Sequence, residues 1–254
     1  MKSTVLKVAR LPDMLSERLY ADYDVLEGSE SGEELEARTL RGIRALIANG
    51  ESRVSAGLLE CPPDLQVIVV FGVGYDGIDV EAARARGIAV THTPDVLTDD
   101  VADFAMTLLL GTARRIARAD RFVREGRWQQ GPFPFTRKVS GKRLGIVGLG
   151  RIGKAIAQRA TAFDMQISYH GRRQLAVDYP YYASVIELAA AVDFLLVAVG
   201  GGDSTYHLVD AGVLDALGSQ GILINVGRGS VVDEAAMEQA LAEGRLLGAG
   251  LDVF

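Results

Sequence analysis

The stretch Lys142–Lys154, which reads K-R-L-G-I-V-G-L-G-R-I-G-K, decides the fold of the chain around it. Its first half, Arg143 to Val147, is a short and largely apolar run, which is typical of a strand buried on both faces. Its second half is a G-x-G-x-x-G motif that leads into a run of good helix formers. Strand, glycine turn and helix in this order are the context in which the motif predicts dinucleotide binding.

Each glycine of the motif has its own expected role. Gly148 allows a tight turn, Gly150 lets the backbone approach a pyrophosphate, and Gly153 lets the helix pack closely on the strand. At the start of the helix, the N–H groups of Arg151 and Ile152 and the helix dipole would hold the anion. The alternative is a structural turn, because glycines punctuate many turns, but the flanking strand and helix favour the dinucleotide.

The segment after the next strand indicates which dinucleotide is bound. About 20 residues beyond the glycines, an NAD site places an acidic residue on the ribose 2′-hydroxyl. Here the strand Met165–Tyr169 is followed by His170-Gly171-Arg172-Arg173, without a carboxylate. The adjacent guanidiniums of Arg172 and Arg173 suit a 2′-phosphate. We therefore expect NADPH rather than NADH, with a solvated basic loop as the alternative.

Length, charge and cysteine content restrict the class of protein. The 254 residues suffice for one large or two medium-sized domains. The net charge of -6 argues against nucleic acid or an anionic membrane as a partner. Cys61 is the only cysteine, so no internal disulfide or cysteine metal cluster can form, and we expect no metal and a cytoplasmic location. We expect no signal peptide and no membrane helix, because charges interrupt the N-terminus early and apolar runs are short.

Short β-rich runs alternate with helical patterns along the first part of the chain. The runs are Val5–Val8, Tyr23–Leu26, Ile43–Ala48, Val67–Phe71 and Ile88–Thr91. The helical patterns include Pro12–Tyr20, Gly32–Thr39 and Val80–Arg86. This alternation predicts a parallel sheet, and we expect a first α/β domain over residues 1–97.

Residues 98–254 are expected to form a second α/β domain. Its later strands are predicted at Val192–Val199, Gly221–Asn225 and Leu246–Val253. Its later helices are predicted at Ser184–Ala190, Asp210–Leu217 and Glu234–Glu243. The domain should begin with one long helix, Thr98–Arg124, capped by Thr98 and buried along its apolar middle.

A polar connection after this helix carries aromatic residues that we expect to be exposed. The connection contains three aromatic residues and two prolines, namely Trp128, Pro132, Phe133, Pro134 and Phe135. Exposed aromatic residues on such a connection indicate a partner surface. A homodimer is expected, because it is the commonest assembly.

With these segments the chain resembles the D-isomer-specific 2-hydroxyacid dehydrogenase family, especially its NADPH-dependent glyoxylate, hydroxypyruvate and hydroxyphenylpyruvate reductases. The resemblance covers the whole chain and is strongest in Gly72–Asp79, Thr93–Asp103, Gly148–Gly153, Asn225–Ser230 and Gly250–Phe254. It implies a flavodoxin-like substrate domain and a Rossmann-type NAD(P)-binding domain. It also implies reduction of a small 2-oxo acid to the D-2-hydroxy acid with NADPH.

The resemblance also implies roles for individual residues. Val73 and Gly74 would offer backbone N–H groups to the substrate carboxylate. Arg228 would be the catalytic residue that binds the carboxylate and carbonyl oxygens and polarises the carbonyl, and Asp252 would hold the nicotinamide carboxamide. The residues expected beside the cofactor also include Thr98, Val199, Thr205 and Val226.

The position of Arg228 supports its role independently of the resemblance. It lies in a glycine-flanked turn after the apolar run Ile222–Ile224, at the carboxyl end of a predicted strand. A guanidinium at such a place is costly unless an anion meets it. The alternative is an ordinary surface arginine in a turn.

The sequence departs from the family in two places. Gly200 stands where the family usually has proline, so three consecutive glycines, Gly200–Gly202, should loosen that loop. The family also has a later segment with a glutamate and a proton-donating histidine. His92, His170 and His207 do not lie in the matching motif, so we expect a truncated chain without its general acid.

The missing general acid leaves more than one function open. Without it, the rate should fall by about 10²–10⁴. The chain would then be a non-catalytic dinucleotide-binding sensor or an inactive fragment, which are the alternatives to a working reductase. An NAD-linked phosphoglycerate-type dehydrogenase is disfavoured, because no acid stands at His170 or Gly171.

Overall fold

A computed structural model describes residues 2–29 and 40–254, so the predicted helix Gly32–Thr39 lies outside the described residues. The chain divides into two compact units, Met1–Leu97 and Thr98–Phe254. Each unit contains one sheet whose described strands are all parallel. The predicted α/β class with two parallel sheets is therefore confirmed.

The first unit is built on a five-stranded sheet with the order β2-β1-β3-β4-β5, which is the flavodoxin-like order. Its strands are β1 (Thr4–Lys7), β2 (Asp24–Glu27), β3 (Ala45–Asn49), β4 (Val67–Phe71) and β5 (Ala89–Thr91). Its described helices are α1 (Asp13–Asp22), α2 (Ala56–Glu60) and α3 (Val80–Ala85). The core includes the fully buried Leu6, Leu46 and Ile68. Helix α2 was not predicted, because five residues are too short for a periodic signal.

The second unit contains a six-stranded sheet with the order β11-β10-β9-β6-β7-β8. Its strands are β6 (Arg143–Val147), β7 (Gln166–His170), β8 (Tyr181–Tyr182), β9 (Phe194–Val197), β10 (Ile222–Asn225) and β11 (Gly248–Leu251). Counted within the unit this order is 6-5-4-1-2-3, which is the Rossmann order read from its other edge. Strands β9 and β10 are buried at every position, as strands covered on both faces should be.

The second unit contains six described α-helices. They are α4 (Thr98–Arg114), α5 (Ile116–Arg124), α6 (Arg151–Thr161), α7 (Val185–Ala191), α8 (Ala211–Leu217) and α9 (Glu234–Ala242). One buried cluster joins α4 and α6 to the sheet through residues such as Leu109 and Ile156, and a second joins α7 and α8 through Leu188 and Leu214. Helix α4 lies so close to β11 that a Cβ on Gly250 would come within 2.8 Å of the Thr112 hydroxyl.

The single long helix predicted over Thr98–Arg124 is wrong. Helix α4 ends at Arg114, and α5 starts at Ile116 after Arg115, which has a left-handed φ of 52°. Only one face of α4 is buried, and α5 contains no buried residue. The break was missed because no glycine or proline marks it.

The aromatic connection after α5 is exposed only in part. Trp128 and Phe135 are exposed, as expected. Phe133 is half-buried instead, because its ring packs edge-on against Phe122 with centroids 5.3 Å apart. Across the parts of the chain that the structure describes, no helix has the length and apolar character needed to cross a membrane.

Candidate active site

A cavity of about 870 Å³ opens at the carboxyl edge of the second sheet. Its walls come from the segments that follow β6, β7 and β9, and β6 and β9 are the neighbouring strands at which the strand order reverses. Open α/β sheets bind ligands at such a switch point. Six of the predicted cofactor residues line this cavity together: Gly148, Gly150, Arg172, Arg173, Val199 and Thr205.

The first and third glycines of the motif fill positions with no room for a side chain. Gly148 has a φ of 96°, and a Cβ there would lie 2.6 Å from the Val199 Cγ1. A Cβ on Gly153 would lie 2.1 Å from the carbonyl oxygen of Gly148. The turn and the close packing of α6 on β6 therefore both require glycine.

Gly150 stands in open space at the start of helix α6. A Cβ there would meet no atom within 4 Å, so the backbone borders an empty volume. Gly150 is the N-cap of α6, which has no side-chain cap and begins with Arg151 and Ile152. Four other described helices, α2, α3, α8 and α9, receive a side-chain oxygen at this point, from Ser55, Asp79, Asp210 and Asp233. The start of α6 thus offers backbone donors and a positive dipole end to an anion, which fits a diphosphate.

The two arginines that follow β7 lie on the rim of the cavity. Arg172 and Arg173 are both exposed, and within residues 2–29 and 40–254 no carboxylate forms an ion pair with either. His170, the last residue of β7, places its Nδ1 3.0 Å from the carbonyl oxygen of Tyr182. The rim therefore presents two positive charges and no acid where a ribose would lie, which fits a 2′-phosphate.

The glycine loop after β9 forms the opposite wall of the cavity. The Thr205 hydroxyl lies 2.8 Å from the carbonyl oxygen of Gly200 and 3.1 Å from that of Gly202, and it donates its proton to these acceptors. One side chain thus closes the three-glycine loop upon itself. Val199, at the start of this loop, also packs against Gly148.

Arg228, Val226 and Asp252 follow the neighbouring strands β10 and β11 at the same edge of the sheet. The side chain of Asn225 shapes this turn, because its amide donates to the Arg228 carbonyl at 2.8 Å and its Oδ1 accepts the Gly227 N–H at 3.0 Å. The N–H of Val226 bonds to β9, and that of Asp252 bonds to Asn225 at 2.9 Å. The Arg228 side chain is half-buried and donates to the Gly227 carbonyl at 2.8 Å.

These three residues and Thr98, at the start of α4, lie in the second unit but do not line the cavity. The predicted substrate residues Val73 and Gly74 belong to the first unit, in the loop after β4, and are half-buried. There the Val73 carbonyl lies 2.9 Å from the Nδ1 of His92.

Comparison with known proteins identifies the family. Residues 106–254 match the D-isomer specific 2-hydroxyacid dehydrogenase, NAD binding domain family. The chain belongs to this family. The predicted family is thereby confirmed, and the protein is an oxidoreductase with a nicotinamide cofactor.

Several relatives of this 2-hydroxyacid dehydrogenase carry more specific names. It is 50% identical over 213 residues to hydroxyphenylpyruvate reductase of Plectranthus scutellarioides, with 84% of this chain and 68% of that protein covered. The glyoxylate/hydroxypyruvate reductase A HPR2 of Arabidopsis thaliana gives the same values. Among solved structures, the NADPH-dependent glyoxylate/hydroxypyruvate reductase SmGhrB of Sinorhizobium meliloti, in complex with NADP and malonate, is 42% identical. It aligns with a TM-score of 0.91 over 100% of this chain and 80% of that one.

The cavity of this dehydrogenase also includes residues that the sequence analysis missed. They are Leu149, Tyr169, Gly171, Leu175, Ala198, Gly200, Gly201 and Ser204. All but Gly201 and Leu175 either form a predicted strand end, as Tyr169 does, or adjoin a predicted cofactor residue. Including the direct neighbours of the predicted cofactor residues would therefore have found most of them, whereas Leu175 depends on how its loop folds back.

Proposed function

We propose that this dehydrogenase reduces small 2-oxo acids of the glyoxylate, hydroxypyruvate or hydroxyphenylpyruvate type to D-2-hydroxy acids with NADPH. The observation that carries the proposal is the pair Arg172 and Arg173, which faces the switch-point cavity without a carboxylate partner among the described residues. The names of the reductases from Plectranthus, Arabidopsis and Sinorhizobium support the substrate class. In this proposal residues 98–254 bind the cofactor and residues 1–97 contribute to substrate binding.

Two groups of residues would hold the cofactor, one at its diphosphate and one at its nicotinamide half. Gly148, Gly150 and the first N–H groups of α6, at Arg151 and Ile152, would bind the diphosphate, with Gly153 keeping the helix close to the strand. The residues assigned to the nicotinamide half are Thr98, Val199, Thr205, Val226 and Asp252. When bound, the cofactor supplies the hydride, while the protein orients it.

Arg228 would bind the substrate. The Asn225 turn fixes its backbone at the carboxyl end of a buried strand, and a guanidinium matches a carboxylate in a bidentate geometry. There it would hold the 2-oxo acid and stabilise negative charge on the carbonyl oxygen as the hydride arrives. The backbone N–H groups of Val73 and Gly74 would add donors to the carboxylate. The structure of the relative SmGhrB is a complex with NADP and malonate, which is a small carboxylate.

We assign no proton donor among the three histidines. His92 lies against the Val73 carbonyl and His170 against the Tyr182 carbonyl. His207 is stacked on Tyr206 and lies 3.8 Å from an Asp233 oxygen. A chain that binds NADPH without turnover would fit a dinucleotide sensor, and the assay below separates that function from a reductase.

The test of NADPH specificity is the double variant Arg172→Ala/Arg173→Ala. The cofactor Kd, measured by fluorescence titration, should rise for NADPH by about tenfold or more per arginine, because each charge-assisted bond is lost. The NADH Kd should stay constant. The control Arg18→Ala/Arg41→Ala removes two exposed arginines of the first unit and should change neither value. Equal affinity of the parent chain for NADPH and NADH would contradict the proposal.

The test of the reaction is NADPH oxidation with glyoxylate, hydroxypyruvate and hydroxyphenylpyruvate, monitored for this chain and for the longest coding sequence that contains it. We expect turnover of at least one of these acids. Arg228→Ala should lower this turnover by about 10²-fold or more and leave the NADPH Kd unchanged. NADPH binding without turnover of any of the three acids in either protein would favour the sensor instead.

We also propose that the protein is a cytoplasmic homodimer. A mainly apolar groove in the second unit supports a dimer interface, and Phe135 is fully exposed there. The groove is lined by Arg114, Ile116, Ala119, Phe133, Pro134, Phe135 and Thr136. The exposed thiol of Cys61 supports a reducing compartment. Sedimentation should show a dimer that Phe135→Ser weakens and Met14→Ser, in the first unit, does not.

A further inference from the structure

The loop that carries Arg172 and Arg173 is anchored at both of its ends by tyrosine hydroxyls. At its start, the Tyr181 hydroxyl donates to the carbonyl oxygen of Gly171 at 3.1 Å. At its end, the N–H of Leu175 donates to the Tyr169 oxygen at 2.7 Å. The two arginines therefore lie on a span whose ends are fixed, although their own side chains are exposed.

The two tyrosines are themselves held rigidly. Tyr169 is almost completely buried in β7, and Tyr181 lies opposite it in β8, where the N–H of Tyr169 bonds to the Pro180 carbonyl at 2.9 Å. The rings are tilted against each other with centroids 5.4 Å apart. The anchor points thus belong to the sheet and its core, while Arg172 and Arg173 on the loop between them are exposed.

We propose that Tyr169 and Tyr181 are positioning residues that hold the arginine pair ready for the ribose 2′-phosphate and thereby set the preference for NADPH over NADH. This inference rests on the proposed NADPH specificity. Binding a phosphate with a mobile loop requires the loop to be ordered at that moment, and a preordered loop avoids this cost. The Tyr181 hydroxyl bonds to the loop and Tyr181 does not line the cavity, whereas Tyr169 does. The effect of removing the Tyr181 hydroxyl should therefore be confined to ligands that carry the 2′-phosphate.

The test uses Tyr169→Phe, Tyr181→Phe and the double variant, which keep both rings and remove only the hydroxyls. Titration with NADPH, NADH, adenosine 2′,5′-bisphosphate and AMP should show an NADPH Kd that rises about fivefold for Tyr181→Phe and more for the double variant. The bisphosphate should follow NADPH, and NADH and AMP should change by less than about twofold. Tyr179→Phe is the matched control, because its ring packs on the same core.

A double-mutant cycle separates positioning from a general structural role. In the Arg172→Ala/Arg173→Ala background, Tyr181→Phe should have no further effect on the NADPH Kd. An equal loss for NADPH and NADH, or a loss that persists without the arginines, would overturn the inference.

Tyr169→Phe leaves a partly buried N–H at Leu175 unpaired, so a melting curve accompanies every titration. If Tyr169→Phe unfolds, Tyr181→Phe carries the test. A parent chain that prefers NADPH through its arginines, with tyrosine variants that keep the full preference, would refute the tyrosine roles alone. A parent chain without that preference would refute the proposed cofactor specificity first.

Discussion

Two of the glycine-rich turns that follow apolar strands lead into helices, and their helix starts differ. Residues 72–77 follow β4 in the first unit, and residues 148–153 follow β6 in the second. The first turn leads to α3, a helix of six residues whose start is capped by Asp79, with its Oδ1 accepting the Ala82 N–H at 2.9 Å. The second leads directly into α6, a helix of 11 residues without a side-chain cap.

This difference teaches that glycines at the end of a strand do not by themselves make a diphosphate site at the start of the next helix. A carboxylate at a helix start occupies the donors and adds negative charge, so α3 is closed to a phosphate. Helix α6 keeps its positive end toward the cavity, and Gly150 leaves that volume empty. The G-x-G-x-x-G spacing therefore matters because it brings the uncapped helix start next to the strand end.

The largest expected effect comes from Gly153→Ala. The new Cβ would lie 2.1 Å from the Gly148 carbonyl oxygen, and backbone on both sides prevents an easy adjustment. We expect a loss of about 3 kcal/mol or more in the free energy of unfolding, together with lost cofactor binding, because α6 must move off β6. Urea unfolding and NADPH titration measure both.

Gly111→Ala is the control for Gly153→Ala. Gly111 lies inside α4, where a Cβ would meet nothing within 4 Å, so this variant should gain up to about 1 kcal/mol. Retention of full stability by Gly153→Ala would show that close helix–strand packing is not what the third glycine provides.

The two sheets also carry their ion pairs at opposite edges. In the first unit Lys7 and Glu27, the last residues of β1 and β2, pair at 2.8 Å at the carboxyl edge. In the second unit Asp193 precedes β9 at the amino edge and pairs with Arg137 at 2.9 Å and Arg143 at 3.1 Å. Burial alone would raise the pKa of Asp193, but the hydrogen bonds from Arg143 and the charge of Arg137 outweigh it and lower that pKa.

Asp193→Asn should therefore be the next largest change, with a loss of about 3 kcal/mol at neutral pH, mainly because the largely buried Arg137 guanidinium loses its counter-charge, while the exposed Arg143 contributes less. A carboxyl whose pKa is lower in the folded state stabilises above its unfolded pKa of about 3.9, and this contribution disappears as the pH falls through the folded value. Urea unfolding from pH 7 down to pH 3 should show that the difference between parent and variant shrinks below about pH 4. A difference in unfolding free energy between parent and variant that stays constant from pH 7 to pH 3 would contradict the lowered pKa of Asp193.

Gly150→Ala should separate binding from folding at the second turn. The backbone φ of -78° suits alanine and no atom lies within 4 Å of the new methyl, so stability should change by less than about 0.5 kcal/mol. The NADPH Kd should nevertheless rise about tenfold, because the methyl occupies space meant for the diphosphate. A stable variant that keeps the NADPH Kd of the parent chain would show that the diphosphate does not bind next to Gly150.

The fold was predictable from the sequence wherever burial on both faces imposes an unbroken apolar run. The predicted strand Arg143–Val147 coincides with β6 for this reason, since its residues from Leu144 to Val147 are all buried. Val67–Phe71 also coincides with β4, although alternate residues of β4 are exposed. The break at Arg115 was not predictable, because arginine carries no local preference for a left-handed φ and the surrounding packing has to impose it.

The residues of the site that come directly after a strand were predictable from the sequence. The glycines after β6 and the arginines after β7 lie beside each other because the carboxyl ends of parallel strands share one edge. The tyrosine anchors were not predictable, because they depend on the register that places Tyr169 opposite Tyr181. Strand β8 has two residues, which are too few to leave a periodic signal.

The smallest expected effect, and the only stabilising one at the cofactor site, is that of Gly200→Pro in the loop after β9. A Cβ on Gly200 meets no atom within 4 Å, and its φ lies outside the left-handed region, whereas Gly202 has a φ of 120°. Proline at 200 should therefore add about 0.4–1 kcal/mol by restricting the unfolded chain, and proline at 202 should destabilise. Melting curves with and without NADPH measure both variants.

A gain in stability that is the same with and without NADPH assigns the effect of Gly200→Pro to the unfolded chain. A larger gain with NADPH assigns part of it to a preordered cofactor loop. No gain in either condition would mean that the Thr205 hydroxyl already orders the loop fully.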